Sequence, residues 1–388
     1  MKNLPLYFDY AATTPVDEQV IEVMVRCLGA SGNFGNPASS SHAYGQSARQ
    51  SVEQARQHVA DLVGAQASQI IWTSGATESN NLALKGFAQG TARHGGHIIT
   101  SQIEHKAILD TARQLQAAGY EVTYLTPDAS GVISPAAVAA ALRPDTFLVS
   151  LMLVNNELGS VNDVAGIGAL VRQQGALFHV DAAQGAGKVR INLGELAVDL
   201  MSFSAHKVYG PKGIGALYVG PRAEGQLHAQ IHGGGHENGL RSGTLATHQI
   251  AGMGAAFKLA EQVFDQEISR IAALQQRLRQ VLIDIPGLRI NGSQLQRVPH
   301  TLSLTFGQGD LDLGGLSQSL AFSSTSACNS ASNTPSHVLL AIGLDDSSAR
   351  QTIRLSIGRF TTDQDVDRAA QLIKASLSQP AFWAVAQA

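Results

Sequence analysis

The sequence is short of the residues that would mark several classes of function. Its 388 residues include two cysteines, Cys27 and Cys328. That is too few for a disulfide framework, or for a four-cysteine zinc or iron–sulfur site within one chain. Thiols this sparse fit a reducing compartment, and the expected location is the cytoplasm. Positive charge is not in excess. The 27 Lys and Arg against 30 Asp and Glu leave a net charge of −3, which argues against nucleic-acid binding through bulk charge. Long apolar runs are missing as well. The longest, such as Leu148 to Val154, are about seven residues, against roughly 20 for a membrane helix. The N-terminal stretch MKNLPLYFDYAATTP has one lysine and a short apolar patch that breaks at Asp9, so it does not read as a signal peptide.

What is present is a regular alternation. Short apolar runs at 70–73, 97–101, 121–125, 147–154, 176–180, 200–203 and 215–219 read as strands covered on both faces. Helical patterns lie between several of them, at Glu78–Gln89, Ala107–Ala118 and Pro135–Leu142. The last has Ser134 as its N-cap and Pro135 at its first position. The pattern predicts an α/β fold with a mostly parallel seven-stranded sheet. Only eleven residues, Ser204 to Ile214, join the last two runs. A helical crossover does not fit there, so that pair is expected to be antiparallel. Past about residue 250 a long amphipathic helix covers roughly Ile250–Ile285, unbroken or broken once, and stops at Pro286-Gly287. Strands follow near 299–306 and 352–357, with a Ser-rich loop at 323–336 between them. The expected division is a large domain over 14–258 and a smaller α+β domain made of 1–13 and 259–388.

Several polar groups fall at predicted strand ends. Lys207 follows the run ending in Ser204, in a loop with Gly210, Gly213 and Gly215, where an amine can form a Schiff base with a carbonyl. Asp181 ends the preceding run, and parallel sheets gather functional groups at the carboxyl ends of their strands. A carboxylate facing a lysine-bound pyridine ring keeps the ring nitrogen protonated, as pyridoxal phosphate requires. Ser74-Gly75-Ala76-Thr77 lies between a strand and a helix, where free amides and the helix dipole bind an anion. His105 and Asn156 follow two further strand ends. Singly, each also reads as a turn lysine, a helix cap or a structural histidine; together they form a constellation. Cys328 lies among Ser, Ala and Asn in the 323–336 loop, although free cysteine prefers burial. A thiol so placed can become a thiolate and attack sulfur. Cys27, in VIEVMVRCL, reads as helical core packing. His94-Gly-Gly-His97 has no carboxylate or cysteine to complete a metal shell, so no metal is expected.

The stretches FDYAATTP, GNPASSSH, SGATESNN, EHKAILD, NNELGSV, HVDAAQ, DLMSFSAHKVYGPKGIGALYV, GGGHENGLRSGT, SSTSACNSAS and IRLSIGRFTT extend from residue 8 to 362. The chain resembles the cysteine desulfurases of the NifS/IscS group, within the class V aminotransferase branch of fold-type I pyridoxal-phosphate enzymes. The resemblance implies roles. Lys207 matches the lysine that carries the cofactor, Asp181 the partner of the ring nitrogen, His105 the stacking histidine and Gln184 the residue bonding the ring 3-oxygen. Ala76, Thr77, Ser204 and His206 match the phosphate-binding set. Thr244 matches a phosphate contact given by the neighbouring subunit, which implies a homodimer with shared active sites. Arg354 matches the guanidinium that binds the substrate carboxylate, and Asn156 a residue beside it and the cofactor. Cys328 matches the thiol that takes sulfur.

The implied reaction removes sulfur from L-cysteine. Lys207, with His105, moves protons, L-alanine leaves, and a persulfide on Cys328 passes sulfur to an acceptor protein such as an iron–sulfur scaffold. The 323–336 loop is expected to move between attack and delivery. The alternative is a related pyridoxal-phosphate enzyme, such as a selenocysteine lyase or a small-amino-acid aminotransferase; transamination needs no thiol at Cys328. Three positions depart from the family pattern: Thr325 and Ala205 stand where glycine is common, and Asn238 where arginine is common. The end, PAFWAVAQA, lacks the longer tail with which housekeeping members dock a scaffold, which leaves a specialised acceptor open.

Overall fold

The structure, a computed structural model, describes residues 4–90, 95–307, 311–324 and 334–377. The chain starts with a two-residue strand, β1 (Leu6–Tyr7), then helices α1 (Glu18–Val25) and α2 (Ala43–Val63). The seven apolar runs become β2 (Ile70–Thr73), β3 (His97–Ser101), β4 (Glu121–Leu125), β5 (Thr146–Met152), β6 (Leu177–Asp181), β7 (Leu200–Ser204) and β8 (Gly215–Val219). Between them run α3 (Ala76–Gly90), α4 (Lys106–Ala117), α5 (Pro135–Ala141) and α6 (Val164–Gln174). Ser134 caps α5 through a bond from the Ala137 amide. The strands form one sheet in the order β2-β8-β7-β6-β5-β3-β4. It is parallel except for β8, which runs antiparallel to both neighbours, as its short link to β7 demands. This is the fold-type I arrangement anticipated from the sequence.

Six of these strands are buried along their whole length, and only β4, at the edge, is partly open. Helices cover both faces, so neighbouring residues of a strand enter opposite cores. Ile70, Trp72, Val149 and Leu151 join one cluster; Ile71 and Leu148 join the other. Each such side chain contributes roughly 1.5–3 kcal/mol.

Helix α7 runs unbroken over 36 residues, Thr247–Leu282, about 54 Å at 1.5 Å per residue. Gly252 and Gly254 do not break it. A Cβ on Gly254 would fall 2.4 Å from the Ala55 Cα of α2, so close helix contact requires glycine there. The first half of α7 packs on the seven-stranded sheet through Phe257. The second half, with Ile271, Leu274 and Leu278, packs on a second, antiparallel sheet. That sheet comprises β9 (Leu288–Asn291), β10 (Thr301–Phe306), β12 (Ser323–Ser324) and β13 (Thr352–Ser356), ordered β12-β13-β10-β9. Between β10 and β12 lies β11 (Leu320–Ala321), which pairs with β1, and Asp9 bridges to Ser356. The N-terminal segment thus joins the β1–β11 pair to the four-stranded sheet, and the Thr14 amide, donating to the His206 carbonyl, ties it to the turn after β7.

Some elements depart from expectation. Strand β5 stops at Met152 rather than 154, because the Asn155 side chain accepts from the Glu157 and Leu158 amides and forms a turn. Cys27 lies just past the end of α1 instead of inside a helix. It is buried all the same, and burial raises its thiol pKa. Asn238 adopts a left-handed backbone with φ of 55°, which asparagine tolerates well. Ala205 is fully buried. Thr325 lies outside the described residues.

Candidate active site

The strand order brings the carboxyl ends of β2, β3, β5, β6 and β7 to one edge of the sheet. With the N-terminal segment and β13 they enclose a cavity of about 760 Å³. From the seven-stranded sheet, Ala76, Thr77, His105, Asn156 and Asp181 line it. Gln184, Ser204, His206 and Lys207 line it as well, and Arg354 reaches it from β13. One predicted residue is not on this wall. Thr244 is exposed on its own chain. Cys328 lies outside the described residues, though Ser324 before it and Ser336 after it both line the cavity.

Lys207 ends a single 3-10 turn, Ala205–Lys207, directly after β7. Its Nζ donates to the carbonyls of Ala11 and Ala12, each at 2.6 Å. Burial, and then the Arg354 charge, bring its amine down to about 8, against the pull of Asp9 and Asp181. An amine tuned this way is uncharged often enough at neutral pH to act as a nucleophile or base. Asp181 is buried at the end of β6. Its Oδ2 accepts from Asn80 Nδ2 at 2.8 Å and its Oδ1 from the Ala183 amide at 3.0 Å.

His105 caps α4 with Nδ1 accepting from the Ala107 amide at 3.1 Å, so Nε2 is its remaining nitrogen. Burial lowers its pKa, with Asp181 opposing and Lys207 adding. His206 bonds Thr13 Oγ1 through Nδ1, and burial with the nearby Lys207 brings it to about 4. The Gln184 Nε2 donates to the Ala11 carbonyl at 2.7 Å.

The turn expected to bind an anion has the required form. Ala76 and Thr77 open α3, where first-turn amides have no intrahelical acceptor. A Cβ on Gly75 would meet nothing within 4 Å, and its φ of +154° suits glycine alone, so backbone borders the cavity there. At the other end Arg354 donates from Nη1 to the Asn156 carbonyl at 2.9 Å. Its Nη2 donates to Asp9 Oδ1 and Ser323 Oγ, both at 2.7 Å. It is the Asn156 backbone, rather than its carboxamide, that faces this guanidinium.

Sequence reasoning missed several neighbours. Asp9, Ala11 and Ala12 touch Arg354, Gln184 and Lys207; their signal was FDYAATTP, where an acid interrupts an apolar run. Asn80 sits one turn into α3 from Thr77 and orients Asp181. Glu104 precedes His105. It is completely buried, with Oε1 accepting from Ser101 Oγ and the Met152 amide. Burial, more than the nearby Asp181, pushes its carboxyl up to about 8. His97, half of the histidine pair noted above, is spent on two threonine hydroxyls, Thr146 and Thr123; His94 lies outside the described residues.

Residues 6–369 match the class-V aminotransferase family. The chain belongs to that family. It is 59% identical over 373 residues to cysteine desulfurase IscS of Pseudomonas putida (strain GB-1), covering 96% of this chain and 92% of that one. The IscS cysteine desulfurase of Azotobacter vinelandii is 57% identical over the same shares. Among solved structures, a NifS-like protein superposes with a TM-score of 0.88 at 36% identity, over 96% of this chain and 99% of its own. SspA in complex with cysteine does so at 0.81 and 42%, over 92% and 99%. Class-V aminotransferases and cysteine desulfurases depend on pyridoxal phosphate. The donor set here fits that group: free helix amides beside an open glycine for a phosphate, a buried carboxylate for a ring nitrogen, and an amine for a carbonyl.

Proposed function

We propose that this chain is a pyridoxal-phosphate-dependent cysteine desulfurase, which takes sulfur from L-cysteine, releases L-alanine and holds the sulfur as a persulfide on Cys328. The observation that carries the reading is one cavity walled by the Lys207 amine, the Asp181 carboxylate and the Arg354 guanidinium. Identity along nearly the whole chain to cysteine desulfurases supports the choice of reaction.

When bound, pyridoxal phosphate supplies an electron sink that lets the α-carbon of an amino acid lose its proton. Ala76, Thr77, Ser204 and His206 would hold its phosphate, Asp181 the ring-nitrogen proton, Gln184 the 3-oxygen and His105 the ring face. Arg354 receives the substrate carboxylate; among the described residues its Nε is buried without a partner. Lys207 moves the α-proton, as its lowered pKa suits. His105 has Nε2 for a second proton transfer. The Cys328 thiolate attacks the substrate sulfur: an S–S bond forms, the carbon–sulfur bond breaks, and the carbon product takes a proton and leaves as alanine. Thr244, exposed on its own chain, completes the phosphate site of a second copy, which makes the active form a homodimer. The persulfide then passes to a sulfur-acceptor protein, such as an iron–sulfur scaffold, in the cytoplasm. The two sheets support a division into 14–258 and 1–13 with 259–388.

Cys328→Ala separates this reading from transamination. The variant is expected to keep the absorbance of bound cofactor and to lose sulfide release from cysteine. Undiminished sulfide release would remove the persulfide step.

A further inference from the structure

Lys188 is a half-buried lysine with no part in the reaction above. It lies in the turn after β6. Nζ donates to Gln184 Oε1 at 2.7 Å. Among the described residues no carboxylate lies within ion-pair distance of it. Glu267, which attracts it from α7, is taken by Arg359 at 2.8 Å. A cavity of about 10 Å³, lined also by Tyr209, His300 and Arg359, adjoins it; that is about the room one water needs. Lys207 and Arg354 add repulsion, and burial with these charges brings the amine down to about 7. A cation compensated so poorly is costly to bury, which asks what it does.

The answer lies in its acceptor. A carboxamide presents an oxygen on one side and an NH₂ on the other, and the two differ only by a flip. As an ammonium, the form it holds below about pH 7, Lys188 can only donate. It therefore fixes the Gln184 oxygen on its own side and leaves Nε2 facing the cavity, where Nε2 donates to the Ala11 carbonyl at 2.7 Å. We propose that Lys188 is a positioning residue for Gln184: it sets which end of the carboxamide meets the 3-oxygen of the cofactor ring. With the amide reversed, two acceptors would face each other. The assignment rests on reading the cavity as a pyridoxal-phosphate site.

The test uses Lys188→Met, Lys188→Gln, Gln184→Met and the Lys188→Met/Gln184→Met double variant of the full chain. The readouts are the affinity of stripped protein for pyridoxal phosphate and the absorbance maximum once bound. Loss of one oriented hydrogen bond predicts affinity about tenfold weaker in Lys188→Met, with a shifted maximum. Lys188→Gln, whose side chain still donates, recovers most of it. In the Gln184→Met background Lys188→Met adds less than about twofold, because the two act as one unit. Unchanged affinity and absorbance in Lys188→Met overturn the proposal, and so does an effect undiminished in the Gln184→Met background. If Lys188→Met does not fold, Gln184→Glu stands in: a carboxylate turns an oxygen to both sides, and unchanged cofactor affinity there overturns the proposal equally. Failure of the unsubstituted protein to bind pyridoxal phosphate at all would instead remove the functional reading beneath it.

Discussion

The two ends of the cavity are built in different ways. At the lysine end, each polar group is placed by the end of a strand in one mostly parallel sheet, so the sheet's backbone sets the spacing. At the arginine end, Asp9, Ser323 and Arg354 come from three distant stretches and are held by one another at 2.7–2.9 Å. The first end is a rigid frame that tunes an amine. The second is a polar triangle whose contacts the proposed substrate carboxylate would share or exchange. On the proposed function, chemistry belongs at the rigid end, and binding at the exchangeable one.

Three changes sharpen or break this contrast. Lys207→Ala strikes the rigid end, and desulfuration is expected to fall by roughly 10²–10⁴-fold, the usual share of a positioned base. A rate within tenfold of the parent protein would dissolve the distinction. Arg354→Ala strikes the other end. Losing a charged contact of about 1.5–3 kcal/mol raises KM for cysteine roughly 10–100-fold, with kcat affected less; an unchanged KM would move the carboxylate site elsewhere. Glu104→Gln is the mildest. The buried acid keeps its proton to about 8, while an ordinary carboxyl loses it near 4.5. Between those values the folded chain binds the extra proton, so stability is lost as pH rises through that window. Glu104→Gln is expected to flatten this part of the curve of Tm against pH. A curve that keeps its slope would mean that Glu104 is ionised beside Asp181.

The same contrast explains what the sequence could tell. Strand ends are legible, because apolar runs stop at Thr73, Ser101, Asp181 and Ser204, and a polar residue stands at each stop. The antiparallel β8 was legible from a short link. The polar triangle was not: nothing local connects Asp9 to Arg354, 345 positions away. Nor does local pattern show that Lys188 points inward, since lysine ordinarily marks a surface. The unbroken α7 was ambiguous for a similar reason. Gly252 and Gly254 weaken a helix by propensity, and only packing against α1 and α2 shows why they are there. Cys328 was singled out by chemistry and resemblance alone, and its role rests on the variant described above.

The most direct test is to incubate the protein with pyridoxal phosphate, reduce it with borohydride and map its peptides. The account expects the pyridoxyl adduct on the ε-amine of Lys207. An adduct on Lys188, on another lysine, or on none would contradict it.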